Sequence, residues 1–312
     1  MRNAVLTIVQ FGIAAGAFWL IWHRVDLGAA WTLISGLSTK LVVVIFVLIY
    51  VQIAIVSWRL VFVVKAIGKS ISFPACFLTL MSGAFAGQTP AGMIGGDAAR
   101  VWYLVRGGLP LRDAATAVTI DRILGFAALV VIVAFTDFPL FFLVRSIWMR
   151  AAIIVISLAA VGAIIAVLTL QLLPQSLQRF RFVRWLADLS VLLSAVLRHR
   201  RDCAVVMALG FSGHFLSVGA IYLLLVGFGA SLTIAQSVVL TAFPLLLSLL
   251  PISVGGWGVR EGSLIAAFAL VGVPPEVALA ASITFGIILL ASSLPGGIVL
   301  INAVPRRQLD KG

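Results

Sequence analysis

Two short phrases decide the fold of this chain: residues 90–100 read PAGMIGGDAAR, and residues 251–260 read PISVGGWGVR. Each phrase has a proline, a glycine pair and an arginine four residues after the second glycine. A further proline follows each of them, Pro110 or Pro274. Both phrases lie in apolar sequence. A glycine–proline break that recurs in the two halves of a hydrophobic chain is typical of the binding site of a membrane transporter.

The composition around these phrases is that of a membrane protein. Hydrophobic residues make up 62% of the chain, charged residues make up 10%, and the mean hydropathy is +1.21, well outside the usage of soluble domains. A crossing helix needs about 20 apolar residues. We therefore expect an all-α polytopic membrane protein with about eight hydrophobic segments, six of them full spans, and with no soluble domain. The predicted spans are 4–22, 41–64, 113–136, 147–173, 203–228 and 276–302.

The loop cations predict the orientation in the membrane. Nine of eleven basic loop residues lie in the linker 174–202 or at the C-terminus, and basic loops stay on the cytoplasmic side. We expect both termini and the linker to be cytoplasmic and the protein to lie in the inner cell membrane. The same rule accounts for the net charge of +12, so nucleic acid is not an expected partner. For the linker, an amphipathic interfacial helix and a solvated connector are both open.

The two glycine–proline segments complete the topology. With six crossings and cytoplasmic termini, each broken segment enters and leaves on one side, as re-entrant hairpins at about 74–110 and 234–272. The chain then divides into two membrane repeats, 1–140 and 141–312, that face opposite ways, which is an inverted-topology repeat. We expect the backbone to break at the two glycine pairs, because proline beside clustered glycine interrupts helix hydrogen bonds.

Charged side chains within the membrane are costly and point to a functional site. Glycines before a helix leave N–H groups uncovered, and the positive end of the helix dipole favours an anion. An arginine one turn later can bind a phosphate or a carboxylate through its planar fork. We predict that the two hairpin tips converge on one basic pocket. Its candidate binding residues are Gly95, Gly96, Arg100, Arg122, Gly255, Gly256 and Arg260.

Three acids accompany these arginines: Asp97, Asp121 and Glu261. Each acid has two open roles, coupling transport to an ion or pairing with an arginine to hold helices together. Asp97 has a third, as the N-cap of the helix that follows the first glycine pair.

Two other ionisable residues receive structural interpretations. Arg59 lies near a span end, where its side chain would reach the interface, and His214 would pack between helices. The sequence contains no GxxxxGK[ST] loop, HExxH pair or GxSxG elbow, which are motifs of nucleotide, zinc and serine chemistry. We expect no enzyme activity, no metal and no cofactor.

Several stretches of the chain resemble the transmembrane region of lysylphosphatidylglycerol synthases, a flippase-like integral membrane family. They are Ser57-Trp58-Arg59, residues 89–100, Asp121-Arg122, residues 250–261 and the turn 272–274. The resemblance extends over nearly the whole chain. It departs at Pro90-Ala91-Gly92, where the family often has proline-glycine-glycine. Bifunctional members carry a soluble aminoacyl-transferase domain after the membrane part, so we expect no lipid aminoacylation from this chain.

The resemblance implies lipid translocation, with relatives linked to aminoacyl-phosphatidylglycerol, isoprenoid-linked glycans or hopanoids. We expect a translocase of an amphipathic, anionic or isoprenoid-linked lipid whose head group binds Arg100, Arg122 and Arg260 while its tail stays in the bilayer. One alternative is a non-transporting scaffold for a lipid- or glycan-modifying enzyme, and another is a membrane-embedded transferase. The expected partners are membrane lipids and lipid-biosynthetic enzymes.

Overall fold

The structure is a computed structural model that describes most of the chain. The described residues are 25–89, 92–174, 179–249 and 256–301, with Gly12, Gly16, Trp19, residues 21–23 and Ser253. Helices and short connecting turns account for this part of the chain. The helices are α1 Leu27–Ser35, α2 Thr39–Ala66, α3 Phe73–Gly87, α4 Gly92–Arg106, α5 Leu111–Leu143, α6 Ile147–Thr169, α7 Arg181–Arg198, α8 Arg200–Gly227, α9 Ile234–Leu249, α10 Val259–Ala269 and α11 Pro275–Ile301.

Five of the described helices are long and apolar enough to cross a membrane: α2, α5, α6 with the 3-10 turn Leu170–Leu172, α8 and α11. They coincide with five of the six predicted spans, and most of the sixth, 4–22, lies outside the described residues. The all-helical, polytopic membrane fold is therefore confirmed. The order of a long helix, two short helices and a long helix occurs twice, from α2 to α5 and from α8 to α11. The division into oppositely oriented halves stays a prediction.

The first broken hairpin consists of α3 and α4, with 15 residues each. Helix α3 begins at Phe73 because the Ser72 hydroxyl accepts a hydrogen bond from the Ala75 N–H, which is an N-cap. At 1.5 Å per residue each arm is about 22 Å long, too short for the hydrocarbon core of about 30 Å. The arms are antiparallel: a Cβ on Gly87 would lie 3.9 Å from the Gly92 carbonyl, and one on Gly96 would lie 2.8 Å from the Gly83 carbonyl.

The predicted break at Gly95-Gly96 is wrong, because α4 runs through both glycines. The chain reverses earlier, between Gln88 at the end of α3 and Gly92, whose φ of 53° only glycine adopts readily. Gly96 serves another purpose, since its lack of a side chain lets α4 approach the backbone of α3 at Gly83. Gly96 therefore lets two helix arms pack together, and neither glycine of the pair ends a helix.

The second hairpin places its glycines in the turn. Helix α9 ends at Leu249 and α10 begins at Val259, and Gly256 and Gly258 between them have φ values of 80° and 83°. The predicted break is thus confirmed at Gly256, while Gly255 and Pro251 lie outside the described residues. The glycine pairs of the two phrases therefore differ in structure, because Gly95 and Gly96 lie inside a helix whereas Gly256 lies in the turn before one.

The linker between the halves contains the amphipathic helix α7. Its apolar side is buried at Leu189, Leu193 and Val196, and the Trp185 indole N–H donates a hydrogen bond to the Thr116 hydroxyl of α5, at 3.0 Å. Of the two possibilities left open for the linker, the amphipathic helix is the one present, and its apolar side packs against the protein. Its location relative to the membrane surface stays a prediction.

Among the described residues, one small apolar core packs α9 against α5 and α6, and two larger cores each contain one hairpin. One joins α9, α10 and α11 to α8 and the first half of α2, and includes Phe268 and Phe285. The other joins α3, α4 and α7 to α5 and the second half of α2, and includes Leu104 and Leu124. The two larger cores meet where α11 crosses α3, and there a Cβ on Gly296 would overlap the Met81 carbonyl. The tips of both hairpins line a cavity.

Candidate binding cavity

A cavity of about 630 Å³ lies between the two hairpins. Both tips line it, through Gln88 and Gly92 of the first hairpin and Ser253 and Gly256 of the second. The long helices α2, α5, α8 and α11 complete the wall. The predicted convergence of the two tips is therefore present in the structure, and the charged residues at this convergence define the candidate site.

Asp121 on α5 is the centre of the charged group. Its Oδ1 accepts a hydrogen bond from Arg59 Nε at 2.8 Å, and its Oδ2 accepts one from Arg100 Nη2 at 2.5 Å. Asp121 is 1% exposed and the two arginines are also buried. One carboxylate thus joins α2, α4 and α5, and of its two open roles the pairing role is the one that the geometry displays.

Arg122, the next residue on α5, contacts a different acid. Its Nε donates to Asp97 Oδ1 at 2.6 Å, and Arg100 Nη1 lies 3.5 Å from the same oxygen. The N-cap role expected for Asp97 is wrong, because Asp97 is the sixth residue of α4 and lies inside the helix. Its pairing with an arginine is present.

Glycines make room for two of the arginine side chains. A Cβ on Gly83 of α3 would overlap the Arg100 side chain, and a Cβ on Gly125 of α5 would lie 2.9 Å from Arg59 Nη2. The arginine side chains therefore lie directly against helix backbone. The described ionisable groups that line the cavity are three arginines, two aspartates and His214. With His214 neutral, their formal charge is +1, which favours an anion.

The role predicted for Arg59 is wrong. Instead of reaching toward an interface, Arg59 is 6% exposed and hydrogen-bonded to Asp121. His214 packs between helices as expected, with its Nε2 2.9 Å from the Gly125 carbonyl oxygen. It also lines the cavity. The sequence did contain a signal for Arg59, because this residue belongs to the Ser57-Trp58-Arg59 stretch that carries the family resemblance.

Arg260 does not line the cavity, so the expectation that Arg100 and Arg260 face one shared cavity is wrong. Arg260 Nη2 donates to Glu261 Oε1 at 2.7 Å, and its Nε donates to the same oxygen and to the Ser282 hydroxyl. The guanidinium carbon lies 4.8 Å from the centre of the Trp257 ring, a cation–π contact. Arg260 is enclosed between α10 and α11.

The N-terminus of α10 is already occupied by a carboxylate. Glu261 Oε2 accepts a hydrogen bond from the Gly258 N–H at 2.6 Å, so the chain itself supplies the anion that this helix end favours. Glu261 is buried and takes the pairing role. The second tip instead offers the cavity the Ser253 hydroxyl, which is buried and has no partner among the described residues.

The rest of the cavity wall is mostly apolar, and its uncharged polar side chains are Gln52, Gln88, Ser248, Ser253 and Ser293. Met93 and Ile94, at the start of α4, line it and are exposed. The wall thus combines a charged cluster around Asp121 with a mostly apolar remainder. The apolar lining residues are Ile49, Ile53, Val56, Leu80, Met93, Ile94, Ile123, Phe126, Leu249 and Leu289.

Comparison with known proteins agrees with this architecture. The family model of the lysylphosphatidylglycerol synthase transmembrane region matches residues 7–296. The chain belongs to this family. A curated relative, described as a UPF0104 membrane protein of Methanothermobacter thermautotrophicus, is 23% identical, with 90% of this chain and 88% of the relative covered. Both hairpins, and every charged residue of the cavity, lie within the family match.

Of the predicted site residues, the structure brings Arg100, Arg122, Asp97, Asp121 and Gly256 to the cavity. Gly96 lies behind it, against α3, and Gly95 is part of the same helix. Arg260 and Glu261 form a separate buried pair, and Gly255 lies outside the described residues. Whether any of them binds a substrate stays a prediction.

Proposed function

We propose that this protein moves an anionic amphipathic lipid across the inner membrane, without changing it chemically. The observation that carries the proposal is the cavity between the hairpins, which combines a cluster of three arginines with a mostly apolar wall. A lipid has the same division into a charged and an apolar part. The family match supports a membrane role for the chain and leaves the transported molecule open.

The head group would bind at the arginines. Guanidinium groups stay charged when removed from water and donate paired hydrogen bonds to phosphate oxygens. Arg122 is the most accessible of the three, with 39% of its side chain exposed, so it would make the first contact. Arg59 and Arg100, buried on either side of Asp121, would supply the positive field behind it. The formal charge of +1 complements a single negative charge.

The tail would follow the apolar wall and leave the cavity beside Met93 and Ile94. Cavities of about 300–1,000 Å³ enclose a drug-sized ligand, so a volume of about 630 Å³ holds a head group and the first part of a chain. The remaining tail would stay in the bilayer. Movement would come from rocking of the two halves about the site, either downhill or coupled to an ion.

A second candidate function is a non-transporting scaffold for a lipid- or glycan-modifying enzyme. The observation that favours it is the Asp121 ion pair, which ties three helices together as a structural element would. A scaffold uses the arginines for stability alone. It predicts that cavity substitutions alter protein abundance and leave lipid movement unaffected.

The test is lipid movement in proteoliposomes of phosphatidylcholine that contain a trace of fluorescent phosphatidylglycerol. Dithionite added outside bleaches the label in the outer leaflet, so its further loss measures transfer. Arg122→Ala should lower the transfer rate at least about tenfold, or 1.4 kcal/mol, while the thermal stability stays near that of the wild type. The matched control is Arg112→Ala, which removes an exposed arginine paired with Asp188 outside the cavity.

Two outcomes would contradict the proposal. No transfer by the wild type above empty liposomes, for this probe and for a fluorescent isoprenoid phosphate, would favour the scaffold. Equal transfer by both arginine variants would remove the cavity from the pathway. A fluorescent phosphatidylcholine serves as the uncharged comparison, and it should move more slowly than either anionic probe.

The proposed orientation has its own test. In a variant without Cys76 and Cys203, Arg200→Cys should be labelled only from the cytoplasmic side by a membrane-impermeant maleimide. The basic linker and C-terminus are the physical reason. Labelling from the outside would contradict the inverted repeat.

A further inference from the structure

The two aspartates of the cavity hold their arginines in different ways. Asp121 has a guanidinium on each oxygen and is 1% exposed. Asp97 uses one oxygen, Oδ1, for both of its arginines, and 29% of its side chain is exposed. Among the described residues, Asp97 Oδ2 accepts no hydrogen bond. Asp121 is therefore a fixed part of the protein, whereas Asp97 is a carboxylate with an open side.

Asp97 occupies the place that an anion bound to Arg122 Nε would take. Its Oδ1 is 2.6 Å from Arg122 Nε and 3.5 Å from Arg100 Nη1. A phosphate oxygen that used the same donors would need the same place, because N–H···O bonds of this kind span about 2.7–2.9 Å. Two negative oxygens do not share that place without repulsion. A head group can take these donors only when Asp97 gives them up.

We propose that Asp97 is a built-in competitor of the transported anion. The head group displaces the Asp97 carboxylate from Arg122 and Arg100 when it binds, and the return of Asp97 helps to expel it on the other side. This inference rests on the proposed function and adds a release step to it. Asp97 can act in this way because its open side keeps it in contact with water in the cavity after it leaves the arginines.

The charges of the cavity agree with an exchange. With Asp97 on the arginines the described lining has a formal charge of +1, and a singly charged head group brings it to zero. If Asp97 stayed in place, the anion would find Arg122 already paired. If Asp97 were absent, the empty cavity would carry +2 and hold the anion too strongly for release. A competing carboxylate that can leave and return therefore keeps the affinity of the cavity for the anion moderate.

The inference predicts opposite changes in binding and transport. Asp97→Asn removes the competing charge, so a fluorescent phosphatidylglycerol should bind the protein about tenfold more tightly, equal to 1.4 kcal/mol. Its transfer in phosphatidylcholine proteoliposomes should fall, because release becomes slower. A purely structural Asp97 predicts the reverse for binding, since loss of the pair with Arg122 would loosen α4 and α5 and weaken the site.

The experiment compares the full-length wild type, Asp97→Asn and the control Asp188→Asn in nanodiscs and in proteoliposomes. Asp188→Asn removes the same charge from an exposed ion pair outside the cavity and should change neither quantity. Should Asp97→Asn fail to accumulate, Asp97→Ser is measured in its place, since it also lacks the charge. Thermal unfolding of each sample accompanies the two assays.

Tighter binding with slower transfer supports the competitor role. Unchanged or weaker binding by a folded, uncharged variant overturns it, even if the wild type transports and Arg122→Ala does not. In that case the proposed function stands without the release step. If the wild type neither binds nor moves the lipid, the proposed function fails first, and the competitor role fails with it.

Discussion

The two hairpins carry the same sequence phrase and use its charges in opposite ways. In the first hairpin, Arg100 extends from the interior of α4 to Asp121 on the cavity wall. In the second, Arg260 bonds to the acid next to it in the chain, Glu261, and lies between α10 and α11. An anion in the cavity can therefore meet Arg100 but not Arg260, and the tip of the second hairpin offers it the Ser253 hydroxyl instead.

The position of the glycine pair explains the difference. Where the pair lies inside α4, Arg100 is the ninth residue of the helix and faces the neighbouring long helix. Where the pair precedes α10, Arg260 is its second residue and turns toward the side of α11. Equal spacing in sequence thus gives unequal positions in space, and a repeated motif does not imply a repeated site.

The largest effect is expected at Asp121, the acid on α5 that holds Arg100 of the first hairpin. Asp121→Ala leaves Arg59 buried without a counter-charge and leaves Arg100 with only its 3.5 Å contact to Asp97. Removal of one partner of a buried pair costs about 3–5 kcal/mol. Thermal unfolding in detergent should show this loss. Asp113→Ala, which breaks the half-exposed pair with Lys69, is the control and should cost less than about 1 kcal/mol. Equal losses from both would contradict the central place of Asp121.

The glycines of the two hairpins should also respond differently to alanine. Gly96→Ala places a methyl group against the Gly83 carbonyl, and overpacking of this kind costs about 1–3 kcal/mol. Gly262→Ala in α10 meets no atom within 4 Å, so helix propensity should make it neutral or stabilising by about 0.5–1 kcal/mol. The measurement is the unfolding temperature of each variant. If Gly262→Ala lowered the unfolding temperature and Gly96→Ala did not, the predicted difference in packing between the two glycines would be wrong.

Lysine substitution separates the two arginines by function. Arg100→Lys keeps the charge and loses the fork that spans Asp121 and the cavity, so lipid transfer per folded molecule should fall about tenfold, or 1.4 kcal/mol. Arg260→Lys lowers stability, because the contacts with Ser282 and Trp257 are lost, but transfer by the folded fraction should match the wild type. A similar loss of transfer in both would make the two repeats equivalent after all.

The smallest effect is expected at the linker. The pair between Arg112 and Asp188 joins α5 to α7, but its side chains are 63% and 51% exposed, and such pairs contribute about 0.2–1 kcal/mol. Raising the salt concentration should reproduce most of the effect of Arg112→Ala on the unfolding temperature. A loss of several kcal/mol would show that α7 is held mainly by charge and not by its apolar side.

Hydropathy was enough to predict the spans, because a helix that contacts lipid must be apolar for its whole length. It also identified the broken segments, and the cost of intramembrane charge pointed to Arg100, Arg122, Asp97 and Asp121 as one group. Both inferences depend on composition along the chain. They need no knowledge of which side of a helix faces a neighbour.

The errors arose where the direction of a side chain mattered. Arg59 lies seven residues before the end of α2, a position that suits either an interface or a buried pair, and the partner that decides between them is 62 residues away. Arg260 was assigned to the cavity because the first phrase was assumed to repeat in space. The two phrases differ in spacing: the first glycine of the pair follows the proline by five positions in Pro90 to Gly95 and by four in Pro251 to Gly255. The two hairpins also reverse at different points of the phrase.

The close contact between α11 and α3 has a consequence for how the protein is made. Met81 and Ser82 belong to the first hairpin, but the helix that lies against them at Gly296 is the last described one. Because chains emerge from the ribosome N-terminus first, that side of the hairpin stays uncovered until α11 has been synthesised. A chain stopped before Pro275 should therefore leave the hairpin open to protease, whereas the full-length chain protects it.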